Sequence, residues 1–221
     1  MTQDKGRDVS TFQKNILMAK NFIDNFNLDD INNKHIIYIS SDAVYSLNSE
    51  NIDDKTIPSP TDLYSSMHLT REIMFKSKFD KNLTILRPTL VYGFGDTHNS
   101  YGPNRFFKQM FDEKNIKIFG EGSDLRDHLY IDDLSDLIYN FSSNHIYGTF
   151  NLASGNSISY LKLANLFKKI FAKHLNEIIK IKVSNTPTKR YFNIEKIQTL
   201  FDFKPTNLED TLVKYFREIT S

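Results

Sequence analysis

The sequence predicts an α/β fold built on a parallel β-sheet with flanking helices. Two observations lead to this prediction. Strand-like and helix-like segments alternate along the chain, as they do in βαβ units. The first strand-like segment, residues 35–40, is rich in isoleucine and shows no alternation of polar and apolar residues, which is typical of a strand buried on both faces.

Apolar periodicity and candidate capping residues place the individual elements. In chain order they are a helix over residues 10–27, a strand over 35–40, a helix over 62–79, a strand over 83–87, a helix over 104–112, a strand over 116–119, a helix over 131–141, a strand over 148–152, a helix from about 159, a strand over 178–183 and two short helices around Pro205. The first helix has apolar residues at three- and four-residue steps from Phe12 to Phe26, with Ser10 or Thr11 as its predicted N-cap.

Prolines and a capping serine mark the remaining boundaries. A loop with Pro58 and Pro60 separates the first strand from the second helix, and Pro88 ends the next strand. Ser157 is the predicted cap of the helix that begins near residue 159. No low-complexity linker interrupts this alternation.

Composition excludes several classes of function. The chain has 221 residues with 28 basic and 27 acidic side chains, and a net charge of +1 argues against a nucleic-acid protein with a broad basic surface. The absence of cysteine excludes a disulfide framework, a thiol nucleophile and a Cys-ligated metal site, and the histidines show no metal-ligand spacing. No apolar run reaches the ~18 residues of a membrane span, and none follows the charged N-terminus, so we expect a cytoplasmic protein without a metal.

Polar residues follow the first predicted strand, where ligands bind in parallel sheets. Ser41 and Asp42 stand at this strand end, although a Ser-Ser-Asp sequence is also typical of an ordinary turn. Tyr64 and His68 are four residues apart and share one face of the predicted second helix. A tyrosine phenol, with a reference pKa near ~10, needs a nearby cation to act as a base at neutral pH. Tyr64 alone could equally be a half-buried structural side chain.

Six features in order resemble the extended short-chain dehydrogenase/reductase family, specifically its NAD-dependent nucleotide-sugar epimerase/dehydratase branch. The first three features are Ser-Ser-Asp-Ala-Val-Tyr at 40–45, Tyr64 at the place of the tyrosine in Tyr-x-x-x-Lys, and Glu72 one turn beyond the end of that motif. The other three are Leu-Arg-Pro-Thr-Leu-Val-Tyr-Gly-Phe-Gly-Asp at 86–96, Gly-Glu-Gly-Ser-Asp-Leu-Arg-Asp-His-Leu-Tyr-Ile-Asp-Asp-Leu at 120–134 and Gly-Thr-Phe-Asn-Leu-Ala-Ser-Gly at 148–155. The resemblance covers residues 10 to about 215 and implies a partial Rossmann-like sheet with a small C-terminal substrate-binding α/β part.

The resemblance also implies roles for individual residues. Ser41, Tyr64 and His68 would be catalytic, with Tyr64 exchanging a proton with the sugar while a nicotinamide takes or gives a hydride. Tyr64, His68 and Pro88 would contact NAD or NADP. The residues that bind the nucleotide-sugar would be Ser41, Asp42, Asn104, Arg126 and Arg190, with the two arginines contacting its pyrophosphate. For Arg126, which has aspartates on either side, a surface ion pair is an equal alternative.

Two substitutions depart from the family pattern. His68 stands where the family has the lysine that lowers the tyrosine pKa, and a histidine with a reference pKa near ~6.5 is mostly neutral at pH 7. Ala43 stands where the family's 4,6-dehydratases carry a glutamate, which favours epimerisation or reduction over dehydration.

The glycine-rich dinucleotide motif is also missing. None of the eight glycines opens a dinucleotide-binding βαβ unit, so we expect that the N-terminal cofactor-binding half lies outside this chain and that the chain alone binds NAD or NADP poorly. Residues 1–100, with later segments such as 128–152, would then form the remaining half of the Rossmann-like domain. Residues 101–221 would form mainly the substrate-binding part. The strand at 35–40 would become an exposed edge.

Two functions stay open at this point. One is a nucleotide-sugar epimerase or reductase whose cofactor half comes from elsewhere, either a separate N-terminal chain or an omitted upstream sequence. The other is a truncated, catalytically impaired remnant that binds a nucleotide-sugar or a partner chain without turnover. The helices at 10–27 and 62–79 correspond to a dimer interface in many family members, so a homodimer is expected. The loop over 95–104 would influence the choice of sugar, and neither nucleic acid nor membrane is an expected partner.

Overall fold

The computed structural model describes residues 6, 8–27, 34–96, 99, 102–174, 176–184 and 186–221. Its helices are α1 (Val9–Asp24), α2 (Leu63–Phe79), α3 (Gly102–Glu113), α4 (Ile131–Ser143), α5 (Tyr160–Ile170), α6 (Glu195–Phe201) and α7 (Leu208–Thr220). Its strands are β1 (Ile36–Ile39), β2 (Asn51–Ile52), β3 (Leu83–Pro88), β4 (Leu90–Tyr92), β5 (Asn115–Phe119), β6 (Leu125–Arg126), β7 (His128–Tyr130), β8 (Gly148–Leu152), β9 (Ile158–Ser159), β10 (Glu177–Ile181) and β11 (Tyr191–Phe192).

The chain forms two compact units. The first comprises residues 1–47, 53–89 and 136–152, and the second comprises residues 48–52, 90–135 and 153–221. The two units reflect which residues pack together. The predicted division at residue 100 instead separates a Rossmann-like part from a substrate-binding part, and it stays a prediction. Of the loop over 95–104, residues 97, 98, 100 and 101 lie outside the described residues.

The first unit is built on a parallel three-stranded sheet in the order β1-β3-β8. Every residue of β3 is buried, as expected for a central strand of such a sheet. On one face, Tyr38 of β1 stacks on Phe75 of α2, with ring centroids 4.6 Å apart. Phe22 of α1 stacks on the same Phe75 at 5.6 Å, so aromatic contacts hold both helices against the sheet.

The second unit has short strand pairs and an aromatic core. β5 pairs with β10, β4 with β7 and β2 with β11, all in parallel, while β6 and β9 are antiparallel. Phe107 of α3 contacts Phe167 of α5 and Tyr215 of α7, with ring centroids 4.7 Å apart in each case. These contacts place the hydrophobic core of the unit between three amphipathic helices.

The structure confirms the α/β prediction and corrects both predicted caps. Helix α1 begins at Val9, so Asp8 is the N-cap and accepts a hydrogen bond from the Thr11 amide at 2.7 Å. Ser157 does not cap α5, because its hydroxyl donates to the carbonyl of Arg190 at 2.6 Å. Ser159 takes that place and accepts from the amide of residue 162 at 3.2 Å.

The prediction that the first strand is buried on both faces is wrong. Tyr38 is buried beneath α2, but Ile39 points to the opposite face and is 41% exposed. Among the described residues β1 pairs with β3 alone, so it lies at the edge of the sheet. The side chains of an edge strand are less covered by neighbouring elements than those of a central strand. The apolar run therefore overestimated the burial of β1.

Candidate active site

Ser41 and Asp42, both predicted at the site, follow the C-terminal end of β1. Ser41 has an extended backbone and caps the 3-10 turn Asp42–Val44, with its Oγ accepting from the Ala43 amide at 3.1 Å. Its hydroxyl also lies 3.4 Å from Oδ1 of the buried Asp42. The turn-capping role anticipated for this sequence is therefore present, and it fixes the position of the Ser41 hydroxyl.

Ser40 connects this strand end to α2. Its Oγ donates to Oε1 of Glu72 at 2.6 Å, and its amide donates to the carbonyl of Leu86 on β3 at 2.7 Å. Both Ser40 and Glu72 are buried. The strand end that carries Ser41 is thus tied to the helix that carries Tyr64.

Glu72 belongs to a larger buried network. Arg87 of β3 donates to both of its carboxylate oxygens and, through Nη1, to the Tyr45 hydroxyl at 2.8 Å. The Tyr45 hydroxyl in turn donates to Asn151 of β8 at 2.8 Å. Burial raises the pKa of Tyr45, so the phenol stays protonated and able to donate this hydrogen bond. The sequence marked Glu72 and Arg87 only as parts of motifs and gave no indication of this network.

Tyr64 and His68 are adjacent on α2, as their spacing predicted. Their rings meet edge to face, with centroids 4.8 Å apart. The helix is firmly started by a capping box, in which Asp62 accepts from the Ser65 amide at 2.7 Å and the Ser65 hydroxyl accepts from the Asp62 amide at 3.2 Å. A rigid first turn of this kind fixes where Tyr64 is held.

His68 is neutral at physiological pH. Burial lowers its pKa to about 4, and the positive charge of Arg71 adds to the effect, while Glu72 opposes it. Its buried Nδ1 has no hydrogen-bond partner among the described residues. A neutral imidazole does not provide the charge of a lysine.

Pro88 ends β3, and the chain continues through a backbone bond to β8. Pro88 is buried, and the following residue, Thr89, donates from its amide to the carbonyl of Leu152 at 2.9 Å. Ser41, Asp42, Tyr64, His68 and Pro88 therefore all lie in the first unit.

In the second unit, the two predicted arginines lie on neighbouring segments. Arg126 of β6 donates to the Thr188 carbonyl at 3.1 Å and to the Thr188 hydroxyl at 2.7 Å, and it contacts Asp124 at 3.3 Å. Leu125 precedes Arg126, Lys189 precedes Arg190, and these two preceding residues form a β-bridge. The ion pair anticipated for Arg126 is therefore present, although the side chain remains partly exposed.

Arg190 is a buried cation. It is 3% exposed, and its guanidinium lies 5.5 Å from the ring centroid of Phe192. A buried guanidinium stacked on an aromatic ring is rigid, which suits recognition of a charged ligand group and also suits a purely structural contact.

Asn104 braces a loop of the second unit. Its Oδ1 accepts from the Gly93 amide at 3.1 Å, and its Nδ2 donates to Asp96 at 2.6 Å. Gly93 has a φ of 150°, and a Cβ there would lie 2.2 Å from Cγ2 of Ile131, so only glycine fits. Asn104, Arg126 and Arg190 therefore share the second unit, and a substrate role for each stays a prediction.

Tyr64 and His68, two of the three predicted cofactor contacts, lie side by side on α2, and the Nδ1 of His68 is buried. At Gly93, Gly102 and Gly122 an added Cβ would come within 3 Å of another residue of the same unit, so these glycines serve close packing. These three glycines therefore do not provide the open backbone approach that a phosphate cradle needs.

Two other features are absent from the described residues. No group of three or more His, Asp or Glu side chains there could hold a metal ion. No helix in that same part of the chain has the length and apolar character needed to cross a membrane.

A parallel α/β sheet with flanking helices places the chain in the Rossmann-like class of folds. Within it, a model of the NAD dependent epimerase/dehydratase family matches residues 3–153. The chain belongs to this family.

Relatives from other organisms include UDP-sugar enzymes. The chain is 27% identical over 191 residues to an uncharacterized UDP-glucose epimerase of Bacillus subtilis, covering 84% of this chain and 60% of that protein. It is 31% identical over 144 residues to the UDP-glucose 4-epimerase of Mycoplasma genitalium, covering 61% of this chain and 39% of that protein. The chain thus spans 60% or less of the length of these relatives.

Solved structures agree with the fold. UDP-N-acetylglucosamine 4-epimerase from Bacillus cereus superposes with a TM-score of 0.81 at 23% identity, covering 100% of this chain and 76% of that one. UDP-glucuronic acid 4-epimerase from Bacillus cereus, in complex with UDP-glucuronic acid and NAD, superposes with a TM-score of 0.75 at 27% identity, covering 93% of this chain and 67% of that one.

Proposed function

We propose that the chain carries the proton-transfer residues and the nucleotide-sugar contacts of an NAD(P)-dependent sugar epimerase or reductase. The observation that carries this proposal is the hydrogen bond of 2.6 Å from Ser40 to Glu72. It joins the strand end that holds Ser41 to the helix that holds Tyr64. A serine hydroxyl and a tyrosine phenol held by one rigid framework are what proton transfer at a sugar carbon–oxygen bond requires.

Each residue of the first unit has a defined task in this proposal. Tyr64 takes the proton of a sugar hydroxyl or returns it to the carbonyl. Ser41 donates a hydrogen bond to the same oxygen and holds it in line, and Asp42 beside it contacts the sugar. His68 contacts the nicotinamide ribose, and Pro88 contacts the cofactor.

The second unit is proposed to bind the nucleotide end of the substrate. Arg126 and Arg190 directly follow Leu125 and Lys189, the two residues that form a β-bridge. Guanidinium groups are well suited to diphosphate oxygens. Asn104 would contact the substrate from the first turn of α3. Support for a UDP-sugar comes from the names of the relatives, which are a UDP-glucose epimerase and a UDP-glucose 4-epimerase.

The cofactor in this proposal is NAD or NADP. When bound, its nicotinamide accepts a hydride from the sugar and returns it. Because none of the eight glycines opens a dinucleotide-binding βαβ unit, we propose that a glycine-rich segment outside this sequence, on a separate chain or in an upstream sequence, holds the dinucleotide phosphates. The homologous UDP-glucuronic acid 4-epimerase structure, which contains NAD, supports the cofactor class.

A second candidate function is nucleotide-sugar binding without turnover. The observation that favours it is the neutral state of His68, because the family resemblance places a cationic lysine there. Loss of a positioned acid–base group typically lowers the rate by about 10²–10⁴-fold.

Assembly and location complete the proposal. We propose a homodimer through α1 and α2, supported by exposed apolar side chains on the two helices. These are Val9, Leu17, Met18 and Phe22 on α1, and Leu63 and Ile73 on α2. The cytoplasmic location remains a prediction.

The test is turnover of UDP-sugars by the full chain. The protein is titrated with NAD by calorimetry and then incubated with an excess of NAD, since weak cofactor binding is expected of this chain alone, and with UDP-glucose, UDP-N-acetylglucosamine or UDP-glucuronic acid; products are followed by NMR. With NAD we expect an epimer, because a net reduced sugar would need NADH or NADPH as hydride donor, and we expect a loss of about 10²–10⁴-fold in rate in Tyr64→Phe. The control is Tyr139→Phe, since Tyr139 is 71% exposed and should not matter. Sugar-nucleotide binding without any product would favour the second candidate, and turnover unaffected by Tyr64→Phe would refute the first.

A further inference from the structure

The face of α2 that carries Tyr64 and His68 also carries Arg71. The three positions follow each other at steps of four and three residues, which places them in one row along a helix. Arg71 matches none of the motifs of the family resemblance. The cation on this face is therefore a feature of this chain.

The Arg71 side chain is directed back along the helix, toward the turn that contains His68. Its Nη1 lies 3.9 Å from Sδ of Met67, and its Cζ lies 5.3 Å from the ring centroid of Tyr38 on β1. Long helical side chains lean toward the N-terminus in this way, and the cation–π contact holds the guanidinium there. The positive charge thus lies beside His68 and on the side of Tyr64.

No carboxylate in the described part of the chain pairs with Arg71. The adjacent Glu72 is already engaged by Arg87 and by Ser40. The Nε of Arg71 is buried and has no hydrogen-bond partner among the described residues. A guanidinium keeps its proton at every accessible pH, so this face carries a permanent charge that no neighbour neutralises.

We propose that Arg71 is a positioning residue that supplies Tyr64 with the positive charge that the family resemblance assigns to a lysine at position 68. The proposal rests on the proposed function, in which Tyr64 moves a proton. A nearby cation favours the phenolate over the phenol, which makes tyrosine a competent base near neutral pH. The guanidinium does this through space, so it can act from about two turns further along the helix, with its side chain leaning back toward the N-terminus.

Among the residues that the structure describes, the other groups around this face do not provide that charge. His68 is neutral at pH 7, since its pKa is about 4. On β1 the facing group is the Tyr38 phenol, whose pKa is raised by burial to about 12, with Arg71 opposing the shift and Tyr64 adding to it. On β3 it is Arg87, which is paired with Glu72. The 3-10 turn contributes the acidic Asp42, and α1 contacts α2 through phenylalanines.

The test measures ionisation of Tyr64 directly in the full chain. The protein is labelled with ¹³C at the tyrosine ζ carbon, the Tyr64 signal is assigned with Tyr64→Phe, and the chemical shift is followed from about pH 7 to pH 12. In the unmodified protein we expect Tyr64 to ionise below the ordinary midpoint of ~10. Arg71→Met and Arg71→Gln should move this midpoint upward by about one pH unit, whereas Arg71→Lys should leave it nearly unchanged.

Lys76→Met is the matched control, because Lys76 is an exposed cation near the end of the same helix and should leave the Tyr64 midpoint in place. A Tyr64 midpoint at or above ~10 in the unmodified protein would overturn the proposal, and this result needs no variant to fold. An unchanged midpoint in either neutral Arg71 variant would overturn it as well. The proposed function fails separately: a protein that shows the Arg71 effect on Tyr64 but binds no UDP-sugar would refute the function and leave this electrostatic coupling intact.

Discussion

Glu72 and Arg87 form a buried two-point ion pair, with Nε to Oε1 at 2.9 Å and Nη2 to Oε2 at 2.6 Å. Their side chains are 1% and 5% exposed. The same Glu72 carboxylate accepts the hydrogen bond of Ser40, so one charged group ties α2, β3 and the end of β1 together. The framework that holds Ser41 and Tyr64 therefore depends on this pair.

Arg87→Met should lower the free energy of unfolding by about 3–5 kcal/mol, because it leaves the Glu72 carboxylate buried without its partner. Urea denaturation at pH 7 measures the change. The matched control is Lys20→Met, which breaks the exposed pair of Lys20 with Asp24 and should cost less than about 1 kcal/mol. Equal losses in the two variants would show that the buried pair contributes no more to the free energy of unfolding than the exposed pair.

Two glycines of one loop should respond differently to alanine. At Gly93 a Cβ would lie 2.2 Å from Ile131, whereas at Gly95 nothing lies within 4 Å, although both have positive φ. Gly95→Ala should therefore cost only the backbone strain, about 1–2 kcal/mol, and Gly93→Ala should cost clearly more. Thermal unfolding of the two variants side by side measures this, and an equal loss would contradict the steric explanation.

Stability should fall as the pH is lowered through the range in which histidines ordinarily titrate. Burial lowers the folded-state pKa of His68 to about 4 and that of His128 to about 3, both below the ordinary value of 6.5. Between about pH 6.5 and 4 the unfolded chain binds more protons, so the stability is fully present above about pH 6.5 and decreases toward pH 4.

His68→Gln should reduce the slope of the free energy of unfolding against pH in this range, as measured by urea denaturation at several pH values. His174→Gln is the control, since His174 is an exposed side chain. A slope that stays the same without His68 would contradict the assignment of a neutral, buried imidazole to the folded state.

Asp127 should be important for the second unit. Its carboxylate accepts from the Ser154 amide at 2.8 Å, the Ser154 hydroxyl at 2.9 Å and the Asn156 amide at 3.1 Å. Asp127→Ala leaves these donors unsatisfied and should cost about 2–4 kcal/mol in urea denaturation. Asp132→Ala removes an aspartate that forms an exposed pair with Lys214, so its cost should be under about 1 kcal/mol. Similar costs would contradict this account of the loop.

The fold could be predicted because the positions of its helices and strands follow from patterns of neighbouring residues in the sequence. Periodicity placed α1 and α2 within a few residues, and the sequence around Ser41 and Tyr64 carried the family pattern. The N-cap of α1 was misplaced because Asp8, Ser10 and Thr11 can all cap a helix, and only the backbone decides between them.

Contacts between distant residues were out of reach of the sequence. The hydrogen bond from Tyr45 to Asn151 joins residues that are 106 positions apart, and no local pattern marks it. Arg71 was missed for a different reason: an arginine on an amphipathic helix usually belongs to a solvated face, and its orientation over Tyr38 appears only in the folded structure.

The most direct test of nucleotide-sugar binding is a calorimetric titration of the full chain with UDP-glucose. We predict saturable binding that is weakened about 10-fold or more in Arg126→Met and in Arg190→Met, since each loses charge-assisted hydrogen bonds to the diphosphate. Arg217→Met, an exposed arginine in the last turn of α7, should bind like the unmodified protein. Absence of binding, or equal affinity in all three variants, would contradict the assignment of the second unit as the nucleotide-sugar site.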